Sequence, residues 1–317
     1  MISWETIIPL LFAGLLLFLY SIRRLSKILR KTFSDRATQS IERYTKNLFF
    51  GIVLGTFFTF LLGSSSAVII IIIIFINAET MTFERSVGPV MGANIGTTFS
   101  SQIIALDVGE YALVPFAVGL VIFLFAKTKS TRRVGKVVLY LGMLFFGLFL
   151  MEESVVPLKD SNMLEVWMTE FNNPVKGVLL GGLITLIIQS SSATVAIAIT
   201  LGKQQLISLS GGIAVMLGAE LGTCSDTMLA TIRGKRQALK AGLFHLSFNL
   251  ITIVVGLVLF NPFMELIKWI SLTDVIDNQI ANAHFLFNTL GVLFFIPIVR
   301  PFIKFWEHLL PEKTQKQ

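Results

Sequence analysis

The sequence predicts an all-α integral membrane protein made of inverted-topology repeats, each with a re-entrant helical hairpin broken at a Ser-Ser-Ser tip. Three observations carry this reading. Of the 317 residues, 54% are hydrophobic and 14% charged, where a soluble domain carries about 25% charged residues. Several apolar runs reach or approach the roughly 20 residues that span a bilayer. One polar phrase also occurs twice inside this apolar sequence. Ser64-Ser65-Ser66-Ala67 is followed by Gly92-Ala93-Asn94-Ile95-Gly96-Thr97, and Ser190-Ser191-Ser192-Ala193 by Gly218-Ala219-Glu220-Leu221-Gly222-Thr223, both parts recurring 126 residues apart.

The first apolar run, Ile7–Ile22, has no preceding basic stretch and no small-residue cleavage site. It reads as a retained first helix that crosses from outside to inside. The basic segment 23–46 is expected along the inner surface as an amphipathic helix. The stretch 47–78 is long for one span and holds serines in its middle, so it is expected to enter and leave on the cytoplasmic side. Residues 86–104 then cross outward and 111–126 return. Residues 137–151 cross outward again, and 174–202 form the second hairpin, entered from outside. Residues 207–229, 240–260 and 281–299 complete the crossings. This threading places the basic clusters Arg23–Lys46, Lys127–Lys136, Arg233–Lys240 and the tail from Arg300 inside, where positive loops belong. The connections Asp107–Glu110, Glu152–Glu170 and Asp274–Asp277 fall outside.

The two hairpins thereby enter from opposite faces. Residues 1–136 make the first repeat and 137–261 the second, inverted one. Residues 262–317 supply an external amphipathic segment, a last transmembrane helix and a cytoplasmic tail. Aligning 47–98 with 173–224 needs no gap and pairs Asn47 with Asn173, Gly51 with Gly177, Gly55 with Gly181 and Thr59 with Thr185. The Gly-x3-Gly spacings permit close helix approach. The run Ile69–Ile74 reads as lipid-facing or core surface.

Composition also excludes classes. The net charge of +7 sits in loops beside apolar spans, where it sets orientation, and implies no nucleic-acid partner. The single cysteine, Cys224, rules out an internal disulfide and a cysteine metal cluster. There is no phosphate loop of the Walker type, no His-Glu-x-x-His and no Gly-x-Ser-x-Gly. The expectation is that the chain is not an enzyme and is not driven by ATP.

Three consecutive serines in the middle of an apolar run are costly unless used, because backbone groups at membrane depth must be paired or line a cavity. A chain unwound there exposes N–H groups and hydroxyls together. Helices restarting at Ala67–Asn77 and Ala193–Thr200 would point positive dipole ends at the tips, which suits an anion such as phosphate. Carbonyls freed from the preceding half-helices suit sodium. Isolated serines in membrane helices often only bond to the i−4 carbonyl or link helices. Two copies at equivalent positions argue for a site.

With these residues in hand, the chain resembles the sodium-dependent phosphate cotransporter family, type II and its bacterial relatives. The family pattern is a repeated Gln-Ser-Ser-Ser followed by Gly-Ala-Asn-Ile-Gly-Thr. Gln189-Ser190-Ser191-Ser192 matches it in the second half and Gly92–Thr98 in the first. Ala241–Asn249 and Ile280–Asn288 look like the family's later helices. The resemblance covers about Leu10 to Pro301 and implies a sodium gradient that drives inorganic phosphate inward. It implies phosphate binding by Ser64, Ser65, Ser66, Gln189, Ser190, Ser191 and Ser192. The candidate sodium-coupling residues are Asn94, Thr97, Thr98, Gln189, Glu220, Thr223, Ser225 and Asp226. Sodium is the only metal expected, and no other cofactor is.

Three positions depart from the family pattern. Gly63 stands where the first repeat has glutamine, Glu220 replaces an asparagine, and Cys224-Ser225-Asp226 replaces a threonine-rich continuation. Intramembrane acids are functional candidates, so Glu220 or Asp226 is expected to hold sodium or a proton. Asp226 could instead pair with Arg233. His245 with Asn249 and His284 with Asn288 share an i, i+4 face. Together with Asn282 they either support the hairpins or bond between helices. The leading expectation is sodium-coupled phosphate symport across the plasma membrane by alternating access. The sequence leaves open another oxyanion, proton coupling, a non-transporting scaffold or sensor, and a homodimer.

Overall fold

The computed structural model describes residues 4–106, 111–158, 173–232 and 234–311. Residues 1–3, 107–110, 159–172, Arg233 and 312–317 lie outside the described residues, so the pairing of Asp226 with Arg233 does too.

The described residues are helical, with no strand among them. Helix α1 spans Trp4–Tyr44 in 41 residues. It passes through 23–44 without a break, so no separate surface helix starts at Arg23. Next come α2 (Leu48–Leu62), α3 (Ser65–Asn77), α4 (Phe83–Ile104), α5 (Leu113–Phe125) and α6 (Lys129–Val155). The second half continues with α7 (Pro174–Ile188), α8 (Ser191–Lys203), α9 (Leu209–Thr231) and α10 (Arg236–Val258). Helices α11 (Phe260–Ile270), α12 (Ile276–Phe295) and α13 (Val299–Leu309) follow. Both expected helix–break–helix units are present, as α2–α3 and α7–α8.

Among the described residues, five segments are long and apolar enough to cross a membrane: Glu5–Leu25, Lys129–Val155, Leu209–Thr231, Arg236–Val258 and Ile276–Leu309. This is a multi-pass membrane protein. The expected crossings 86–104 and 111–126 fall outside that set. Helix α5 has only 13 residues. Helix α4 is rich in Gly, Ser and Thr, and 15 of its 22 residues are buried. Protein, rather than hydrocarbon, surrounds it.

The packing repeats as the sequence does. Helices α2 and α3 lie on α4, and α7 and α8 lie on α9. Helix α10 completes the second group by packing on α9, while α12 packs on α4 and α5 packs on α6. The C-terminal segment thus supplies a neighbour to the first group. The isoleucine run divides cleanly: Ile69, Ile72 and Ile73 are core residues, and Ile74 is exposed. Helices α11 and α13 are amphipathic, burying Phe260, Phe263 and Ile267 on one and Val299 and Ile303 on the other.

Close backbone approach seats α2 on α4 and α7 on α9. A Cβ at Gly92 would lie 1.9 Å from the Ile52 carbonyl oxygen, and one at Gly218 would lie 2.0 Å from that of Val178. The glycines of the duplicated phrase are therefore packing residues. Gly182 differs, because its Cβ would meet nothing nearer than 3.4 Å. Gly92→Ala and Gly218→Ala should each destabilise the purified protein by about 1–3 kcal/mol or more through overpacking, read as a lowered Tm. Gly182→Ala should leave Tm nearly unchanged. Equal Tm values for all three would contradict this packing.

Candidate substrate cavity

Both helix breaks are built alike. Helix α2 ends on Gly63, which is left-handed (φ 61°) and donates its N–H to the Thr59 carbonyl at 2.8 Å. Ser64 then caps α3, its Oγ accepting from the Ala67 N–H at 3.2 Å. Helix α7 ends on Gln189, also left-handed (φ 56°), whose N–H donates to the Thr185 carbonyl at 2.6 Å. Ser190 caps α8, accepting from the Ala193 N–H at 3.3 Å. The start of each unit is matched as well, with Asn47 and Asn173 as N-caps. These caps satisfy part of each helix terminus and leave the first amides of α3 and α8 unused.

The geometry explains Gly63. The position demands a left-handed backbone, which glycine adopts without steric cost. Gln189 holds the same conformation against roughly 1–2 kcal/mol. A strained non-glycine residue that faces a cavity is a functional candidate.

The two breaks meet in one cavity of about 480 Å³, lined by Gly63, Ser64, Ser65, Ser66, Thr97, Gln189, Ser190, Ser191 and Ser192. Every expected phosphate-binding residue is on its wall. Leu19, Ile22, Leu62 and Ala67 supply its apolar part, and Arg23 and Lys27 of α1 also line it. Sequence reading missed these two cations because they belong to a basic run that looks like any orienting segment. Among the described residues no acidic side chain lines the cavity, and Asp226 touches it only through Ser66. Thr97 Oγ1 donates to the Ala93 carbonyl at 3.1 Å, so it presents only lone pairs, which suits a cation.

The remaining sodium-coupling candidates sit off the wall. Thr98 Oγ1 donates to the Ile95 carbonyl at 2.7 Å, Thr223 Oγ1 to that of Ala219 at 3.0 Å and Ser225 Oγ to that of Gly222 at 2.8 Å. Asp226 reaches the first tip, its Oδ2 accepting from Ser66 Oγ at 3.2 Å. Glu220 is buried and lies 2.7 Å from His284 Nε2. His284 Nδ1 in turn lies 2.5 Å from Ser101 Oγ. This Ser101–His284–Glu220 chain, absent from the sequence reading, joins α4, α12 and α9. It is buried throughout and borders none of the cavity, so it has the parts of a nucleophile–base arrangement with no room for a substrate.

A second such node forms between α9 and α10. Thr227 Oγ1 donates to the Cys224 carbonyl at 2.9 Å and lies 2.9 Å from His245 Nδ1. With its one proton committed, Thr227 accepts from Nδ1–H, which leaves His245 Nε2 a bare acceptor. Asn249 Nδ2 donates to Cys224 Sγ at 3.2 Å. Asn94, the first-repeat counterpart of Glu220, is one methylene shorter. Its Nδ2 and His245 Nε2 are both buried without a protein partner. Asn282 accepts from Gln102 Nε2 at 3.3 Å and donates to Ser271 Oγ at 3.1 Å, and Asn288 Nδ2 donates to the His284 carbonyl at 3.2 Å. These supporting residues bond between and along helices.

One asymmetry tests the construction of the breaks. Thr185 Oγ1 donates to Thr194 Oγ1 at 2.7 Å, and Thr194 donates on to the Ser190 carbonyl at 3.3 Å, tying the two arms together. The counterpart of Thr194 is Val68, and Thr59 Oγ1 is buried without a protein partner. Thr194→Val should cost about 1–3 kcal/mol by orphaning Thr185. Val68→Thr should be neutral or stabilising by giving Thr59 a partner. Thermal unfolding of both variants decides this, and a stabilised Thr194→Val would contradict it.

The Na+/Pi-cotransporter family model matches the chain twice, over residues 17–153 and 147–295. The protein YqeW of Bacillus subtilis, named as uncharacterized, is 28% identical over 304 residues, covering 95% of this chain and 97% of that protein. YjbB of Salmonella typhimurium, named as a candidate inorganic phosphate export protein, is 23% identical over 286 residues, covering 90% of this chain and 52% of YjbB. The chain thus spans about half the length of that relative. Human sodium-dependent phosphate transport protein 2B is 26% identical over 135 residues, covering 39% of this chain and 20% of that protein. No solved structure matches the chain.

Proposed function

The chain belongs to the Na+/Pi-cotransporter family, and on that premise we propose that it carries inorganic phosphate across the plasma membrane in symport with sodium. The family is one of transporters, so the chain is not an enzyme. The observation that carries the proposal is the meeting of both helix breaks in one cavity. Hydroxyls of Ser64, Ser65, Ser190, Ser191 and Ser192, the Gln189 amide and the open amides of α3 and α8 would take the phosphate oxygens, while Ser66 gives its proton to Asp226. Thr97 Oγ1, with its proton committed, would offer sodium an oxygen beside the anion. A cation and an anion bound side by side neutralise each other, so each favours the other's binding and coupling follows. The two units, in inverted topology as re-entrant hairpins, would move against their supports to expose the site alternately.

Radiolabelled phosphate uptake into proteoliposomes under an inward sodium gradient, with potassium as control, tests this. Sodium-dependent uptake is expected, with Ser191→Ala reducing it tenfold or more through loss of a charge-assisted hydrogen bond. Gln189→Gly should lower uptake while leaving Tm unchanged or raised, because glycine relieves the left-handed strain. No uptake by folded protein would overturn the proposal.

The buried Glu220–His284 contact supports a second reading of the coupling, in which this pair holds a proton. An isolated carboxylate at that depth is costly, and a proton shared with the imidazole neutralises it. Glu220→Gln should then flatten the pH dependence of uptake relative to the parent, with phosphate's own titration common to both profiles. Superimposable profiles, together with unchanged sodium dependence, would remove Glu220 from the coupling.

A further inference from the structure

Building on the phosphate-transport reading above, we propose that Arg23 and Lys27 form a one-sided recruiting pair for a doubly charged oxyanion. They lower KM for phosphate at the face where α1 turns basic and not at the opposite face.

The serines alone discriminate charge poorly. A hydroxyl both donates and accepts, so it serves protonated and deprotonated oxyanions alike. Arg23 and Lys27 are exposed on the cavity wall, whose described lining has no acidic member, the nearest carboxylate contact being that of Asp226 with Ser66. Their attraction grows with the charge of the ligand. They also stand at i, i+4, where like charges repel and weaken a helix. Orientation in the bilayer accounts for basic residues near this end. It does not account for two like charges side by side on the wall of the cavity.

The opposite end differs in charge. Helices α1 and α6 run antiparallel, with Gly14 against Gly147 and the rings of Tyr20 and Tyr140 6.1 Å apart. Arg23 and Lys27 are therefore level with the start of α6. Arg132 and Lys136 stand there over Phe123, at 5.3 Å and 5.2 Å. At the other end Ile7 packs with Val155 and Leu206. Beside them Glu152 accepts from Lys203 at 2.8 Å and Gln204 at 2.6 Å, with Asp277 lining the same small pocket. Ile7 and Arg23 are 16 residues apart, about 24 Å along a helix. Glu153 adds a further exposed acid. The end of α1 that borders the cavity is thus basic, whereas at its other end Glu152, Glu153 and Asp277 stand against Lys203, a difference that raises an anion's local concentration on one side only.

The test is phosphate–phosphate exchange in proteoliposomes of the full chain at low ionic strength, with KM measured from each face. The double variant Arg23→Gln, Lys27→Gln should raise KM about tenfold at the basic face, with the opposite-face KM and the maximal rate within about twofold. The increase should shrink in high salt, and the charge-keeping pair Arg23→Lys, Lys27→Arg should restore the parent value. Equal increases at both faces, or a lost maximal rate with KM unchanged, would overturn the inference and leave phosphate transport standing. A parent that exchanges no phosphate would overturn the transport reading, and the recruiting pair with it.

Discussion

A helix interrupted inside an apolar bundle must give its broken ends new hydrogen-bond partners, because no solvent supplies them. Here the solution is local and is used twice. A left-handed residue closes the first half-helix on a threonine carbonyl, and the next serine caps the second half-helix. The amides left over at the start of α3 and α8 are the price of the break, and they are also what an anion requires. The same turn that interrupts the helix therefore creates the binding surface. The supporting helices then have one task, which is to hold two such turns at a common cavity. Glycines at the α2–α4 and α7–α9 contacts do so by bringing backbones into direct contact.

Off the cavity wall lie two histidine nodes with different degrees of completion. Ser101, His284 and Glu220 bond in one chain across three helices. Around His245 the corresponding positions leave the imidazole Nε2 and the Asn94 amide without protein partners. Asparagine in place of glutamate shortens the reach by one methylene. A completed buried network rigidifies the helices it joins, whereas the His245 node bonds α10 to α9 and leaves Asn94 Nδ2 of α4 without a partner. The two halves of this protein are alike in backbone but unequal in polar support, and the acid sits on the better-supported side.

Much of this was legible in the sequence. The breaks at Ser64 and Ser190 follow from polarity within apolar runs, and a fixed offset of 126 carried the caps Asn47 and Asn173 with it. Gly63 read as a missing side chain, whereas its backbone angle shows a residue type suited to its turn. The motif glycines read as part of a polar phrase, whereas Gly92 and Gly218 pack helices. What the sequence could not show was pairing across long separations. Nothing in periodicity links Ser101 to His284, Ser66 to Asp226, or Arg23 to serines that lie far along the chain. Such contacts are set by how helices cross, which local pattern does not encode. The length of α1 was also missed, because a change from apolar to basic sequence does not by itself end a helix.

The central claim is that the two tips form a single site. The most direct test is alkylation protection in Ser64→Cys and Ser190→Cys, measured separately in detergent-purified protein, with the native Cys224 buried and left in place. Phosphate with sodium should slow modification of both cysteines over the same concentration range. Protection of only one cysteine, or of neither, would contradict a shared site.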